Sequence, residues 1–148
     1  MHDITIRQLV ESDFDEWLSL WREYQNFYQV DFPAEVNAAT WQRILCSDEP
    51  IYGLAAESNG KVIGFAHYVT RRSTWSLKNA CYLHDLYVDR KSRGIGAATK
   101  LVQRTVTEAR TGGASKLYWL TQEDNATARS IYEKLANRSN FTYYSLQL

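Results

Sequence analysis

Apolar and polar residues alternate through ITIRQL (4–9), the pattern of a half-buried strand. The spacing then lengthens. Phe14, Trp17, Leu18, Trp21, Tyr24 and Tyr28 recur every three or four positions, which predicts an amphipathic helix over 13–28. Ser12 with Asp15 reads as its capping box, with Asp where Glu or Gln is usual. Pro33 marks a break, and 34–46 reads as a second helix. IYGLAAES (51–58) and KVIGFAHYV (61–69) flank Asn59-Gly60, the favoured dipeptide of a two-residue hairpin. CYLHDLYV (81–88) predicts another strand. Ile95, Ala98, Leu101, Val102, Thr105, Val106 and Ala109 share one side of a helix over 95–110, which Gly112-Gly113 ends. KLYWLT (116–121) predicts a short buried strand and NATARSIYEKLA (125–136) a helix capped by Asn125. FTYYSLQL (141–148) predicts a final strand. The order βαα-βββ-αβαβ describes a mixed α/β (α+β) chain forming one domain over 1–148, with no repeat or linker.

Composition narrows the class. A chain of 148 residues with 45% hydrophobic and 14% aromatic content can bury a sizeable core and is not disordered. It has no apolar run of about 18 residues to cross a membrane. Its start, MHDITIRQLVESDF, lacks the basic and apolar regions of a signal peptide. Cys46 and Cys81 lie far apart, match no metal spacing, and are expected as buried free thiols of a cytoplasmic protein. The formal net charge is zero, yet residues 1–50 carry −7 and residues 51–148 carry +7. Either the charges are scattered solvated groups, or an acidic first third meets a cation while the basic remainder meets an anion.

The chemistry gathers around DRKSRGIGAATKLV (89–102), where a strand gives way to a helix. Gly94-Ile95-Gly96 is not a P-loop, because Ala97-Ala98 follow where Lys and Ser/Thr are needed. It is not a dinucleotide fingerprint either, because Thr99 stands where a third Gly or Ala is needed. The basic run is too short, and too free of interleaved aromatics, for nucleic acid. What remains is a turn whose glycines let backbone approach a ligand, at a helix N-terminus that attracts anions, beside Lys91 and Arg93. That geometry suits a pyrophosphate. It equally describes a plain strand-to-helix turn.

LYVDRKSRGIGAATKLV resembles the acetyl-CoA-binding segment of the GNAT superfamily of N-acetyltransferases, whose loop is Q/R-x-x-G-x-G/A. Lys91 fills the Q/R position, and Arg90 replaces a frequent proline. KLYWLTQEDNATARSIYEKL resembles the family's strand, Asn, and helix with a tyrosine seven residues on. Residues 81–135 are also similar to the Hpa-type branch, named for fungal histone and polyamine acetyltransferases. LANRSNFTYY departs from the family by lacking a Gly-Phe turn after the helix.

The resemblance implies a mixed, mostly antiparallel twisted sheet flanked by helices. It implies acetyl transfer from acetyl-CoA to a primary amine by direct attack in a ternary complex, without a metal, a membrane or nucleic acid. Leu86, Tyr87 and Val88 would pair with the pantetheine arm like an added strand. Backbone N–H groups of Arg93, Gly94, Ile95, Gly96, Ala97 and Ala98, with Lys91, would hold the pyrophosphate. Asn125 would contact the pantetheine, and Tyr132 would protonate the departing thiolate. Seven residues is nearly two turns, so both face one side of the helix. His84 stands where some relatives carry a glutamate base, and imidazole exchanges protons near neutral pH. Strand alternation would turn His84 and Asp85 to opposite faces, leaving Asp85 to anchor backbone. Glu123 is a further candidate. Trp17, Trp21, Tyr24, Tyr28 and Asp31 would line an aromatic, acidic pocket for a cationic amine. The same stripe also reads as core, Tyr132 as a core aromatic and Asn125 as a cap. A homodimer is common in the family, with FTYYSLQL available to pair across it. A non-catalytic acetyl-CoA sensor is the alternative in another class.

Overall fold

Alternation and helical spacing settle into five strands and four helices in a computed structural model that describes residues 3–148. The elements are β1 (Thr5–Gln8), α1 (Phe14–Phe27), α2 (Ala34–Leu45), β2 (Ile51–Ser58), β3 (Lys61–Arg71), β4 (Ala80–Val88), α3 (Ala97–Thr111), β5 (Lys116–Trp119) and α4 (Ala126–Leu135). The sheet runs β1-β2-β3-β4-β5. All neighbours are antiparallel except β4 and β5, which are parallel. The β2–β3 hairpin turns where expected, with Asn59 and Gly60 both at positive φ (52° and 75°).

Each face of the sheet buries its own core. Leu54, Ala66, Tyr68, Cys81, Leu83 and Val88 pack with Leu101 and Val102 of α3. Ala55, Val62 and Phe65 pack with Trp17, Leu20 and Trp21 of α1 and Trp41 of α2. Trp17 is fully buried between Trp41 and Trp21, with ring centroids 4.7 and 5.9 Å away. Polar side chains clamp α1 to α2. Asn37 Oδ1 accepts from Trp21 Nε1 (2.8 Å) and Gln25 Nε2 (3.1 Å), while Gln25 Oε1 accepts from the Phe32 amide (2.8 Å). No fully buried side-chain nitrogen or oxygen here is left without a partner, so the knot fixes the helix pair at little desolvation cost.

Four sequence expectations differ. The start of α1 is held by Asp13 rather than by Ser12 and Asp15: Asp13 accepts from the Val10 amide (2.8 Å) and takes both Nη groups of Arg7 (2.7 and 2.9 Å). The Arg7 hydrogen bond holds that carboxyl below its ordinary range despite its burial. Cys46 is exposed, because it lies just past the last turn of α2, whereas Cys81 is buried. A β-bulge between His67 and Tyr68 in the β3–β4 register leaves His84 without a partner residue. Strand alternation is interrupted there, so His84 and Asp85 do not divide between the two faces. Residues 137–148 form no strand. Phe141, Tyr143, Tyr144 and Leu146 are exposed instead. An alternating segment becomes a strand only where an edge pairs with it, and β5 is the last strand of the sheet.

Candidate active site

β4 and β5 part company early. Their pairing stops at Leu83 with Trp119, although β4 continues to Val88. The backbone of β4 beyond that point has a free edge facing the gap. The gap is a cavity of about 550 Å³ lined by Leu86, Tyr87 and Val88, by Arg93, Gly94, Gly96, Ala97 and Ala98, and by Asn125, Ile131 and Tyr132 of α4. Phe27 and Tyr28, at the end of α1, close another side.

The turn into α3 is shaped by two left-handed residues. Gly94 and Gly96 have φ of 84° and 89°, values costly for any residue with a Cβ. Gly96 caps α3 without a side-chain hydrogen bond, so the first-turn N–H groups stay available at the cavity. Arg93 folds over the Tyr87 ring (5.4 Å) and donates from Nε to the Val88 carbonyl (3.1 Å), leaving its Nη groups for an anion. Lys91 is exposed in a single 3-10 turn and does not line the cavity. Lys91→Ala is therefore expected to change coenzyme A affinity by less than about twofold. Gly96→Ala adds about 1–3 kcal/mol of backbone strain at the anion turn and should weaken binding about tenfold or more. Calorimetric titration of both variants with coenzyme A checks the contrast.

Asn125 is both cap and wall. Its Oδ1 accepts from the Ala128 amide (3.2 Å), and its residue lines the cavity. Tyr132 lies two turns further on, its ring edge-on to Trp119 at 5.5 Å. Burial, with Tyr28 nearby, pushes its phenol up to about 12.

Other expected residues sit apart from the cavity. Trp21 is core, with its N–H spent on Asn37. Asp31 is exposed. Glu123 lines a separate depression bordered by α4 and residues 136–143. His84 is exposed at the bulge and stacks on Tyr82 at 4.9 Å. Ile95 is half-buried against the α3 core. Asp85 takes side-chain rather than backbone partners: Tyr24 Oη (2.6 Å) and His67 Nδ1 (2.9 Å). Sequence reading passed over His67. Its one signal was a lone imidazole in the otherwise apolar β3, on the face of Phe65. Phe27, Thr99, Thr121, Thr127 and Ala128 also line the cavity, and no residue-type pattern marks them.

Comparison with known proteins agrees with this geometry. The family model described as "Acetyltransferase (GNAT) family" matches residues 15–136. The chain belongs to the GNAT acetyltransferase family. It is 31% identical over 143 residues to the D-amino-acid N-acetyltransferase HPA3 of Saccharomyces cerevisiae, covering 95% of this chain and 89% of that one. It is 26% identical over 144 residues to the thialysine N-epsilon-acetyltransferase of Mus musculus, covering 91% and 84%. A crystal structure of a probable acetyltransferase superposes with a TM-score of 0.85 at 25% identity, covering 97% of each chain. This GNAT protein is thus an acetyl-transferring enzyme with the family's mixed α/β fold. Among the described residues no helix is long and apolar enough to cross a membrane.

Proposed function

We propose that this GNAT protein moves an acetyl group from acetyl-CoA to a primary amine, on a small cationic molecule such as a polyamine or aminoglycoside, or on a lysine or protein amine. One observation carries the reading: the gap between β4 and β5 brings the free edge at Leu86–Val88, the Gly94–Ala98 turn and Tyr132 to one cavity. The parts fit the cosubstrate. The free strand edge suits the amides of the pantetheine arm, and the uncapped α3 N-terminus with Arg93 suits a pyrophosphate. Similarity to enzymes named for D-amino acids and thialysine supports an amine acceptor.

In this reading the neutral amine attacks the thioester carbonyl carbon directly. A C–N bond forms, the C–S bond breaks, the nitrogen loses a proton and the sulfur gains one. A backbone N–H of β4 polarises the carbonyl. Tyr132 faces the departing sulfur. His84, exposed at the bulge two residues before Leu86, accepts the amine proton through water. In this reading no step calls on a metal.

The test is thiol release from acetyl-CoA with spermidine, L-lysine and neamine. Acetyl-CoA should raise the melting temperature, and at least one amine should turn over. A protein that acetyl-CoA does not stabilise would sink the reading.

We also propose a cytoplasmic homodimer in which residues 141–148 pair across the interface. Their alternating apolar side chains are exposed, and β5 presents an outer edge. Light scattering should give twice the 17.2 kDa chain mass, and a chain cut after residue 136 should fall to monomer.

A further inference from the structure

Asp85 belongs to a buried hydrogen-bonded array that acetyl transfer, as described above, does not use. Its Oδ1 lies 2.6 Å from Tyr24 Oη and its Oδ2 lies 2.9 Å from His67 Nδ1. His67 Nε2 lies 2.9 Å from Trp17 Nε1. Trp17, His67 and Asp85 are all buried. The hydrogens can be placed by elimination. An indole nitrogen only donates, so His67 Nε2 accepts, and the proton of this neutral ring sits on Nδ1 and is donated to Asp85. A carboxylate only accepts, so Tyr24 spends its one proton on Asp85. Toward any other group, the Tyr24 hydroxyl can only accept.

The array also carries a negative charge that no Lys or Arg pairs with. No Lys or Arg contacts Asp85, and its neutral partners donate hydrogen bonds only. Burial alone would raise its carboxyl, but the bond from His67, the neighbouring His67 and His84 rings and the bond from Tyr24 hold it below the ordinary carboxylate range. The charge is felt at Tyr28, whose phenol is raised by burial and then by Asp85. The Tyr28 ring is 4.9 Å from that of Tyr24, and Tyr28 lines the cavity that also holds Tyr132.

We propose that Trp17, His67 and Asp85 are positioning residues that fix Tyr24 as an acceptor-only group beside the Tyr28 wall, where it binds an ammonium of the acetyl acceptor. An ammonium brings N–H donors and a positive charge, and the site offers an oriented acceptor backed by a carboxylate. That same charge favours the protonated form of the bound nitrogen. A protonated nitrogen has no lone pair and cannot attack. The nucleophile is therefore another nitrogen of the same molecule, and the substrate class is an amine carrying a second, cationic nitrogen. This rests on the acetyl-transfer reading.

The test compares 1,5-diaminopentane with pentylamine, which differ by one amino group. The wild type should prefer the diamine by about 10- to 100-fold in kcat/KM, the worth of one charge-assisted hydrogen bond. Tyr24→Phe keeps the ring and should erase that preference, mainly through the diamine KM, while acetyl-CoA raises the melting temperature as before. Asp85→Asn should do the same, and Tyr24→Phe decides alone if that variant does not fold. Equal use of both amines by the wild type, or a preference surviving in Tyr24→Phe, overturns the inference. If neither amine is acetylated, both are titrated calorimetrically into the coenzyme A-saturated protein. Tighter diamine binding that Tyr24→Phe abolishes supports it; equal or absent binding overturns it. Failure of acetyl-CoA to stabilise the wild type would instead strike the acetyl-transfer reading.

Discussion

Tyr132→Phe is expected to lower kcat about 100-fold with little change in acetyl-CoA affinity. The ring would keep its edge contact with Trp119, so packing changes little. What is lost is a hydroxyl hydrogen bond to a sulfur that becomes anionic only as the C–S bond breaks. A hydrogen bond to a charged group is worth about 1.5–3 kcal/mol, or roughly 10- to 150-fold. The phenol is pushed up to about 12, mainly by burial. Burial holds that proton more tightly than on an ordinary tyrosine, which disfavours its outright transfer to the sulfur. In the proposed reaction Tyr132 would therefore donate a hydrogen bond and keep its proton until the amine's proton replaces it. The phenol is protonated below about 12, so Tyr132 would add no falling limb at working pH. The pH profile of kcat in Tyr132→Phe should be lowered throughout and unchanged in shape. A loss under threefold, or a limb that disappears with the hydroxyl, would contradict this role.

Trp17→Ala should cost about 3–5 kcal/mol of stability, the usual result of emptying a large buried aromatic site. Trp17 has no exposed surface and is enclosed by Phe14, Trp21, Trp41 and His67. Its loss also removes the donor that His67 Nε2 accepts from, leaving a buried acceptor unmatched. In a chain of this size each kcal/mol shifts the midpoint by about 2–4 °C, so calorimetry should show a fall of about 10 °C or more. Trp17→Phe fills most of the volume but lacks the N–H, so its smaller deficit isolates the hydrogen bond. A fall of only a degree or two in Trp17→Ala would mean the aromatic cluster is not what joins α1 to the sheet.

The two halves of the molecule were not equally legible. The cavity's α3 side could be read because its requirements are local. Positive φ at Gly94 and Gly96, a helix start at Ala97 and an Asn cap at the next helix all lie within short windows. The aromatic stripe on α1 was legible as a stripe but not as a set of roles. One periodicity holds Trp17 and Trp21, which the core takes, and Tyr24 and Tyr28, which lie at or beside the cavity. Helical spacing places residues on a face and says nothing of how far the opposing sheet extends over it.

By itself the sequence determined the order of the elements from β1 to α4, the Asn59-Gly60 hairpin, the glycine turn and the family they belong to. Each is a matter of backbone preference or apolar period acting over a few residues. Only the tertiary structure decided the rest. The final segment FTYYSLQL has strand-like alternation but no paired edge, because a strand exists only with its neighbour. A bulge opposite His67 and Tyr68 breaks the alternation at His84, a register event between strands about 18 residues apart in sequence. That register brings His67 to Asp85, and the docking of α1 adds Trp17 and Tyr24 from some 50 and 61 residues away. Hydrogen-bond roles in that array are set by which donors meet which acceptors across the sheet, and contacts at such separations leave no periodic mark on the chain.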